Sequence, residues 1–297
     1  MNPSVGVVIP TRGDRPGPLR AALEGVLGQN PAQVAVVSDG GDPIDVAEQI
    51  ADVVAATRGR VRVLPNRLSP GLPGARNTGI AALTTDLIAF CDDDDLWLPG
   101  KLPAQIAALG DAEFASCAIE VEYGSRVVPR TAGRSEVTVA DLVRSRMMMV
   151  HSSTFLFRRG ALWVDESAPG GQNEDWDLAL RAARRQPIVH VDRPLVRVRW
   201  GGSQYVTRWA DRIAGLEWML ARHPELGADP TGAARVYGQL AFHHAALGRR
   251  REAGRWALRA FSARRGELRA PIALAVATGL VSAHAVLAAL NTRGHGI

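Results

Sequence analysis

Lysine is almost missing from this 297-residue chain: Lys101 is the only one, and arginine supplies the rest of the 35 basic residues. Such a skew follows GC-rich coding more readily than selection for phosphate contacts, so the net charge of +5 is weak evidence for nucleic acid and no such partner is expected. Cysteine is nearly as scarce. Cys91 and Cys117 make neither a CxxC pair nor a disulfide framework, and read as buried thiols of a reducing compartment. Low-complexity tracts are absent. Residues 1 to 9 have no basic start and no long apolar stretch, so no secretory signal is expected and the expected location is the cytoplasm.

Charge is unevenly placed. Residues 206–297 hold 13 arginines against 6 acids, leaving 22 basic and 24 acidic residues before them, so the basic character belongs to the tail. A chain of this length can bury a sizeable core in one large domain or two smaller ones.

What is present in excess is acid at one point. In Asp86-Leu-Ile-Ala-Phe-Cys-Asp92-Asp93-Asp94-Asp95-Leu-Trp97-Leu-Pro99, a short apolar run ends in four carboxylates. Leu87 to Cys91 reads as a strand buried on both faces. Four adjacent like charges cannot follow it into a low-dielectric core without a cation, and the apolar flank Leu96 to Leu98 argues against full exposure. An acidic helix cap explains one or two of the acids, with Pro99 in the first turn. An EF-hand is excluded, because no glycine and bidentate glutamate follow at the required spacing. A divalent metal is the expectation.

Before this point the chain alternates strand and helix. Val5 to Pro10, Val34 to Val37 and Val61 to Leu64 read as strands, and Leu19 to Leu27, Ile44 to Ala56 and Gly74 to Leu83 as helices. Such alternation predicts a parallel sheet with ligands at the carboxyl ends of its strands. Those ends carry Thr11 and Arg12, Asp39, and Asp92 to Asp95, which are expected to converge. Phe114 to Glu122 and Arg126 to Pro129 read as a strand pair. Gly74-Ala-Arg76-Asn77 reads either as a plain helix start or as an anion-binding one, with glycine allowing close approach and Arg76 adding donors. Asn173-Glu174-Asp175-Trp-Asp177 places acids in a first helical turn, as caps or with one as a general base.

In order, Val-Val-Ile-Pro-Thr (7–11), Val-Val-Ser-Asp-Gly-Gly-Asp (36–42), Gly-Ala-Arg-Asn-Thr-Gly-Ile (74–80), Phe-Cys-Asp-Asp-Asp-Asp-Leu-Trp-Leu-Pro-Gly-Lys-Leu (90–102) and Asn-Glu-Asp-Trp-Asp-Leu-Ala-Leu-Arg (173–181) resemble the family 2 glycosyltransferases of GT-A fold. The resemblance covers about residues 4 to 205. It implies that Thr11 and Asp39 hold the nucleoside of a UDP- or dTDP-sugar, with Asp39 on the base and Pro10, Arg12 and Asn77 beside them. Arg76 would reach the base or the phosphates, Asp92 and Asp93 would face the donor, and Asp94 with Asp92 would ligate Mn²⁺ or Mg²⁺. Asp175, with Glu174, would be the catalytic pair. Three departures stand out: Ser38 replaces a common aspartate, Gly13-Asp14-Arg15 follows the first strand where relatives often carry Asn-Arg, and no histidine stands in Arg197-Val-Arg199-Trp200-Gly-Gly-Ser203, where Arg199 would act electrostatically instead. His151, in Met147-Met-Met-Val-His151-Ser-Ser-Thr, reads as a hydrogen-bonded structural residue or a ligand.

The expected fold is therefore α/β: a GT-A-like, Rossmann-type, mostly parallel sheet flanked by helices over residues 1–205, with an all-α appendage over 206–297. Ala233 to His244 and Ala253 to Phe261 read as two helices separated at Gly248, and Ala270 to Asn291 as a packed helix rather than a membrane span. The expected activity is inverting, metal-dependent transfer of a sugar to a hydroxyl of a glycan, a lipid-linked molecule or a small molecule. A sugar nucleotidyltransferase and a non-catalytic nucleotide-sugar-binding scaffold are the alternatives. Arg251, Arg255 and Arg259, one turn apart, suggest peripheral contact with the inner face of the plasma membrane.

Overall fold

The computed structural model describes residues 3–199 and 208–292. The stretch from Trp200 to Ser203 and the boundary expected near residue 205 lie outside them.

The first strand is a run of β-branched residues, β1 (Val5–Thr11), and Arg15 then precedes α1 (Pro16–Leu27), where proline occupies a first-turn position that needs no N–H donor. The unit repeats as β2 (Gln33–Ser38), α2 (Pro43–Gln49), α3 (Ala51–Ala56), β3 (Val61–Pro65), α4 (Leu72–Ala82) and β4 (Leu87–Phe90). The helix expected over residues 44–56 is two, broken where Ile50 takes φ −127° and ψ 17° and turns into the core. Then follow β5 (Leu96–Trp97), α5 (Lys101–Leu109), β6 (Phe114–Tyr123), β7 (Arg126–Arg130), β8 (Glu136–Val137), α6 (Val139–Arg144), β9 (Leu156–Arg158), α7 (Glu174–Arg185) and β10 (Ile188–Arg199). The C-terminal part is helical: α8 (Trp209–Arg222), α9 (Glu225–Ala228), α10 (Pro230–Ala246), α11 (Arg250–Ala263), α12 (Arg269–Ala277) and α13 (Ala283–Thr292).

One sheet runs in the order β3-β2-β1-β4-β9-β6-β10-β5. Its first four strands are parallel, as the alternation predicts, with Val7 opposite Val34 on one side and Ala89 on the other. Beyond β4 the sheet is mixed. Strand β9 is antiparallel to both β4 and β6, β10 is parallel to β6, and the expected pair β6 and β7 forms a hairpin. Chain order reverses between β1 and β4, so their carboxyl ends flank a crevice of the kind that holds ligands in open α/β sheets.

Alternate residues of β1 serve two cores. Val5, Val7 and Ile9 face α1, while Val8 faces α4 and a cluster that includes Phe90, Phe114 and Trp176. Helix α4 lies so close to β1 that a Cβ on Gly79 would stand 2.3 Å from a methyl of Val8. Only glycine permits that approach, and it brings the first turn of α4 to the strand ends. Ile213 and Met219 of α8, Leu226 of α9 and Val236 and Leu240 of α10 enter the same core as Trp176 of α7.

Asp177 ties α7 to α8 and to the residues that follow it. Its carboxylate has no exposed surface and accepts from His223 Nε2 (2.9 Å), Arg222 Nε (2.6 Å) and Arg181 Nε (2.8 Å). Burial works against ionisation, but these donors hold the carboxyl down at about 2. Its stabilising contribution is therefore present above the ordinary carboxylate range and is lost as pH falls from about 4 towards 2. Asp177→Asn removes the charge and turns one of the two accepting oxygens into a donor that faces the arginine and histidine donors, and a loss of about 3 kcal/mol at neutral pH is expected. Urea unfolding should show that loss shrinking between pH 4 and pH 2; a constant difference across that range would remove the ionic explanation.

The C-terminal helices match the expected hairpin, α10 and α11 turning at Gly248 with φ +72°. The apolar stretch after Ala270 is not one helix but two, α12 and α13, parted near Gly279 at φ +81°. Among the described residues, no helix is long and apolar enough to cross a membrane.

Candidate active site

The crevice between β1 and β4 collects most of the acids singled out in the sequence. Pro10 and Thr11 end β1, and the Thr11 carbonyl accepts the Asp39 N–H at 2.8 Å, which joins the ends of β1 and β2. Asp39 is half-buried. Its Oδ1 accepts from Asn66 Nδ2 (2.8 Å) and the Gly71 N–H (2.9 Å), so its side chain is fixed at the mouth. Arg12 is exposed on the loop that follows β1.

The four aspartates after β4 divide among different partners. Asp93 is buried, accepting from Thr11 Oγ1 (2.6 Å) and Arg15 Nη2 (2.5 Å). Burial pushes its carboxyl up to about 6, against the pull of Thr11 and Arg15. Asp94 is about a third exposed and paired with Nη1 of the same Arg15. Asp92 accepts from Arg76 Nη2 (2.6 Å) on one oxygen and Ser152 Oγ (2.9 Å) on the other; burial opposes its charge, but Arg76 and His151 hold it below the usual range. Asp95 accepts from Ser153 Oγ at 2.6 Å, and burial pushes it up although His151 Nδ1 stands 3.5 Å away.

His151 completes this group. Burial disfavours its cation, yet Asp95, Asp92 and Asp175 together raise its pKa. Asp92, Asp95 and His151 offer ligand atoms that all lie within 4.8 Å of one another. The expected metal pair is thus divided: Asp92 is in this group, whereas Asp94 turns to Arg15. Carboxylate oxygens with one imidazole are a donor set that suits Mn²⁺ or Mg²⁺, and a dication among so many buried acids would relieve their repulsion.

Arg76 joins the acids of β4 to those of α7. It is 1% exposed, its Nη2 on Asp92, its Nη1 on Glu174 Oε1, and its guanidinium 5.4 Å from the Phe90 ring centre. Burial pushes Glu174 up while Arg76 pulls it down. Both terminal nitrogens of Arg76 thus bond to protein carboxylates. Asn77 likewise spends its amide on both backbone groups of Val164 (2.9 Å each) and on Glu166 (2.8 Å).

Asp175 lies in the first turn of α7, after Asn173 in the left-handed conformation at φ 65°. Arg146 Nη2 bonds both its oxygens, at 2.9 and 3.1 Å, and the Trp176 N–H adds a third contact at 2.8 Å. Burial opposes its charge, but Arg146, His151 and Arg76 keep it ionised at neutral pH. On β10, Arg197 pairs with Glu120 at 2.6 Å and Arg199 lies 3.9 Å from Glu122.

Arg15, Arg146, Ser152 and Ser153 were given no role in the site by the sequence. A signal existed for the serines: His151-Ser-Ser-Thr is a polar break inside an apolar stretch. Nothing comparable marks Arg15 or Arg146 in a chain so rich in arginine.

With this geometry in place, comparison with known proteins is direct. The sequence is 40% identical over 101 residues to the succinoglycan biosynthesis protein ExoW of Rhizobium meliloti (strain 1021), a match taking in 32% of this chain and 31% of that protein. The matched stretch therefore spans about a third of the length of that curated relative. In fold, the chain is similar to S. aureus TarS in complex with UDP-GlcNAc, at TM-score 0.61 and 14% identity over 93% of this chain and 91% of that one. It is also similar to the mannosyltransferase PcManGT from Pyrobaculum calidifontis in complex with GDP-Man and Mn²⁺, at TM-score 0.58 and 18% identity over 97% and 79%. These likenesses show a GT-A-like fold. The model of Glycosyl transferase family 2 matches residues 6–164, more than half of the chain, which therefore belongs to that family.

Proposed function

We propose that this chain moves a sugar from a nucleoside-diphosphate donor, a UDP- or dTDP-sugar, to an acceptor hydroxyl with inversion at the anomeric carbon. The observation that carries this reading is the bridge of Arg76 from Asp92 at the end of β4 to Glu174 beside Asp175 on α7. It sets a cluster of acids suited to a metal next to a carboxylate suited to take a proton. Proteins of similar fold bind UDP-GlcNAc, or GDP-Man with Mn²⁺, which supports a nucleotide-sugar donor.

In this reading Thr11 and Asp39 hold the nucleoside at the ends of β1 and β2. Asp92, Asp95 and His151 would hold the ion, with Asp94 next to them in sequence and paired with Arg15. Bound there, Mn²⁺ or Mg²⁺ supplies positive charge against the departing diphosphate. The acceptor oxygen bonds to the anomeric carbon as the bond to the diphosphate breaks, and its proton passes to Asp175. Arg76 holds Asp92 in its charged form and stands between it and Glu174, whose carboxyl burial pushes up to about 7 against the pull of Arg76. Sugar nucleotides incubated with the protein should release free nucleoside diphosphate in Mn²⁺, lose that turnover in EDTA and regain it on metal addition. Full turnover in EDTA would remove the metal from the scheme, and a failure of every nucleotide sugar to raise the melting temperature would remove the donor.

Peripheral membrane contact belongs to the same reading. Arg251, Arg255 and Arg259 of α11 are exposed, close in sequence to Leu258 (71% exposed) and Leu268 (72% exposed). Basic and apolar side chains together suit an anionic bilayer surface, where each basic residue is worth about 1 kcal/mol. The intact protein should sediment with phosphatidylglycerol vesicles at low salt, and Leu258→Glu with Leu268→Glu should reduce that several-fold. Equal sedimentation of variant and native protein would discard the contact.

A further inference from the structure

The only lysine of the chain lies wholly in its interior. Lys101, the first residue of α5, has no exposed surface and makes no ion pair among the described residues. Its ammonium stands 3.8 Å from the centre of the Trp97 ring and donates to Gln105 Oε1 at 2.7 Å. Burial pushes it down to about 8, with the thiols of Cys117 and Cys91 acting the other way, so it remains largely charged at neutral pH. A ring face and one amide oxygen offset only part of the cost of desolvating a cation. An apolar side chain of similar length would fill the same space without that cost, so packing alone does not account for a lysine here.

What the lysine does is orient an amide. An ammonium has donors and no acceptor, so the oxygen of the Gln105 amide must face it and the amide nitrogen must face away. That nitrogen donates to the Thr154 carbonyl at 2.7 Å, and the Trp97 indole N–H donates to the Ser153 carbonyl at 3.0 Å. Both bonds are buried, and both end on the short helical turn Ser152–Thr154. The hydroxyls of the same turn meet the acids: Ser152 Oγ donates to Asp92 at 2.9 Å and Ser153 Oγ to Asp95 at 2.6 Å. His151 caps the turn, its Nδ1 accepting the Ser153 N–H at 3.3 Å and its carbonyl accepting the Thr154 hydroxyl at 2.6 Å.

We propose that Lys101 and Gln105 are positioning residues for the acid cluster: Lys101 fixes the Gln105 amide, and Gln105 with Trp97 holds the turn that brings His151, Ser152 and Ser153 onto Asp92 and Asp95. The inference rests on the reading of that cluster as the seat of the ion. Neither Lys101 nor Gln105 bonds to any of the four aspartates, so both act through the turn. A neutral amide in place of Lys101 could rotate and accept from Gln105, releasing the Thr154 carbonyl, whereas a group that only donates cannot. Groups that orient the ligands of a metal in this way typically contribute roughly 10–100-fold to its affinity.

Two variants separate positioning from packing. Lys101→Met keeps the length of the side chain and removes its donors. Gln105→Glu keeps an oxygen for Lys101 and removes the N–H that reaches Thr154. Mn²⁺ alone is the probe, added to the full chain and followed by the paramagnetic resonance signal of the free ion. Each variant should weaken Mn²⁺ binding by about tenfold or more. The melting temperature of Lys101→Met should stay near the native value, because an apolar chain replaces a buried cation. In EDTA, both variants should exchange the Phe155 amide hydrogen faster, since that N–H closes the turn on the Ser152 carbonyl at 3.0 Å. Native Mn²⁺ affinity in both variants overturns the proposal, and a lowered melting temperature beside unchanged affinity returns Lys101 to packing. If the native protein binds no Mn²⁺ while Phe155 exchange quickens in both variants, the turn is held as proposed and the reading of the cluster as an ion's seat fails. If neither measurement responds, the proposal falls.

Discussion

Asp175→Asn is expected to lower turnover by about 10²–10⁴-fold while leaving donor binding and the melting temperature nearly as they were. The size follows from what a positioned base does: it removes the acceptor proton as the new bond forms, and an amide oxygen cannot hold that proton. The geometry explains why binding should survive. Asp175 contacts Arg146 and the Trp176 N–H, and an asparagine oxygen can accept from both. The nearest acid to the proposed metal on this helix is Glu174, through Arg76, and that link is untouched. Release of nucleoside diphosphate at saturating donor and acceptor measures the first expectation, and titration of UDP in Mn²⁺ the second. Turnover within threefold of the native protein would return Asp175 to the role of a helix cap. Loss of UDP binding would make it a donor residue. If the native protein itself showed no turnover with any donor, a scaffold would become the better account.

How much of this was legible beforehand depends on range. The four parallel strands announce themselves because each is a short, mostly apolar run closed by a turn, and the polar residues at their ends are local in sequence. Strand β9 could not be placed so easily. Leu156–Arg158 is three residues long, and its pairing with β4 and β6 is decided by partners more than 40 positions away. The break at Ile50 leaves no mark either, since a helical apolar spacing continues through it. In the site, four carboxylates in a row signal a cation plainly. How they divide is another matter, because successive residues in a tight turn point in different directions. Arg15, Ser152 and Ser153 between them claim all four from loops distant in sequence. Asn77 shows the converse: a motif position that reads as ligand-facing spends its whole amide on the Val164 loop.

Arg76 should be the most costly single residue to replace. Arg76→Gln leaves Asp92 and Glu174 buried without the one cation that touches both, and stranding such partners typically costs about 3–5 kcal/mol. One acid can shed the penalty by taking a proton, and Glu174, which burial already pushes up, is the one placed to do so. Asp92 cannot do so cheaply while Ser152 and His151 favour its charge. The double variant Arg76→Gln with Glu174→Gln should therefore recover much of the stability, because two amides can bond to each other and only Asp92 remains charged. It should not recover turnover, since the span between the β4 acids and α7 then no longer rests on an ion pair. Urea unfolding of the native protein, both single variants and the double variant gives the coupling energy, expected at 1 kcal/mol or more by about the usual size for residues in contact. Additive losses would mean that Arg76 is held by packing against Phe90 and not by its acids. Restored turnover in the double variant would mean that the bridge positions nothing.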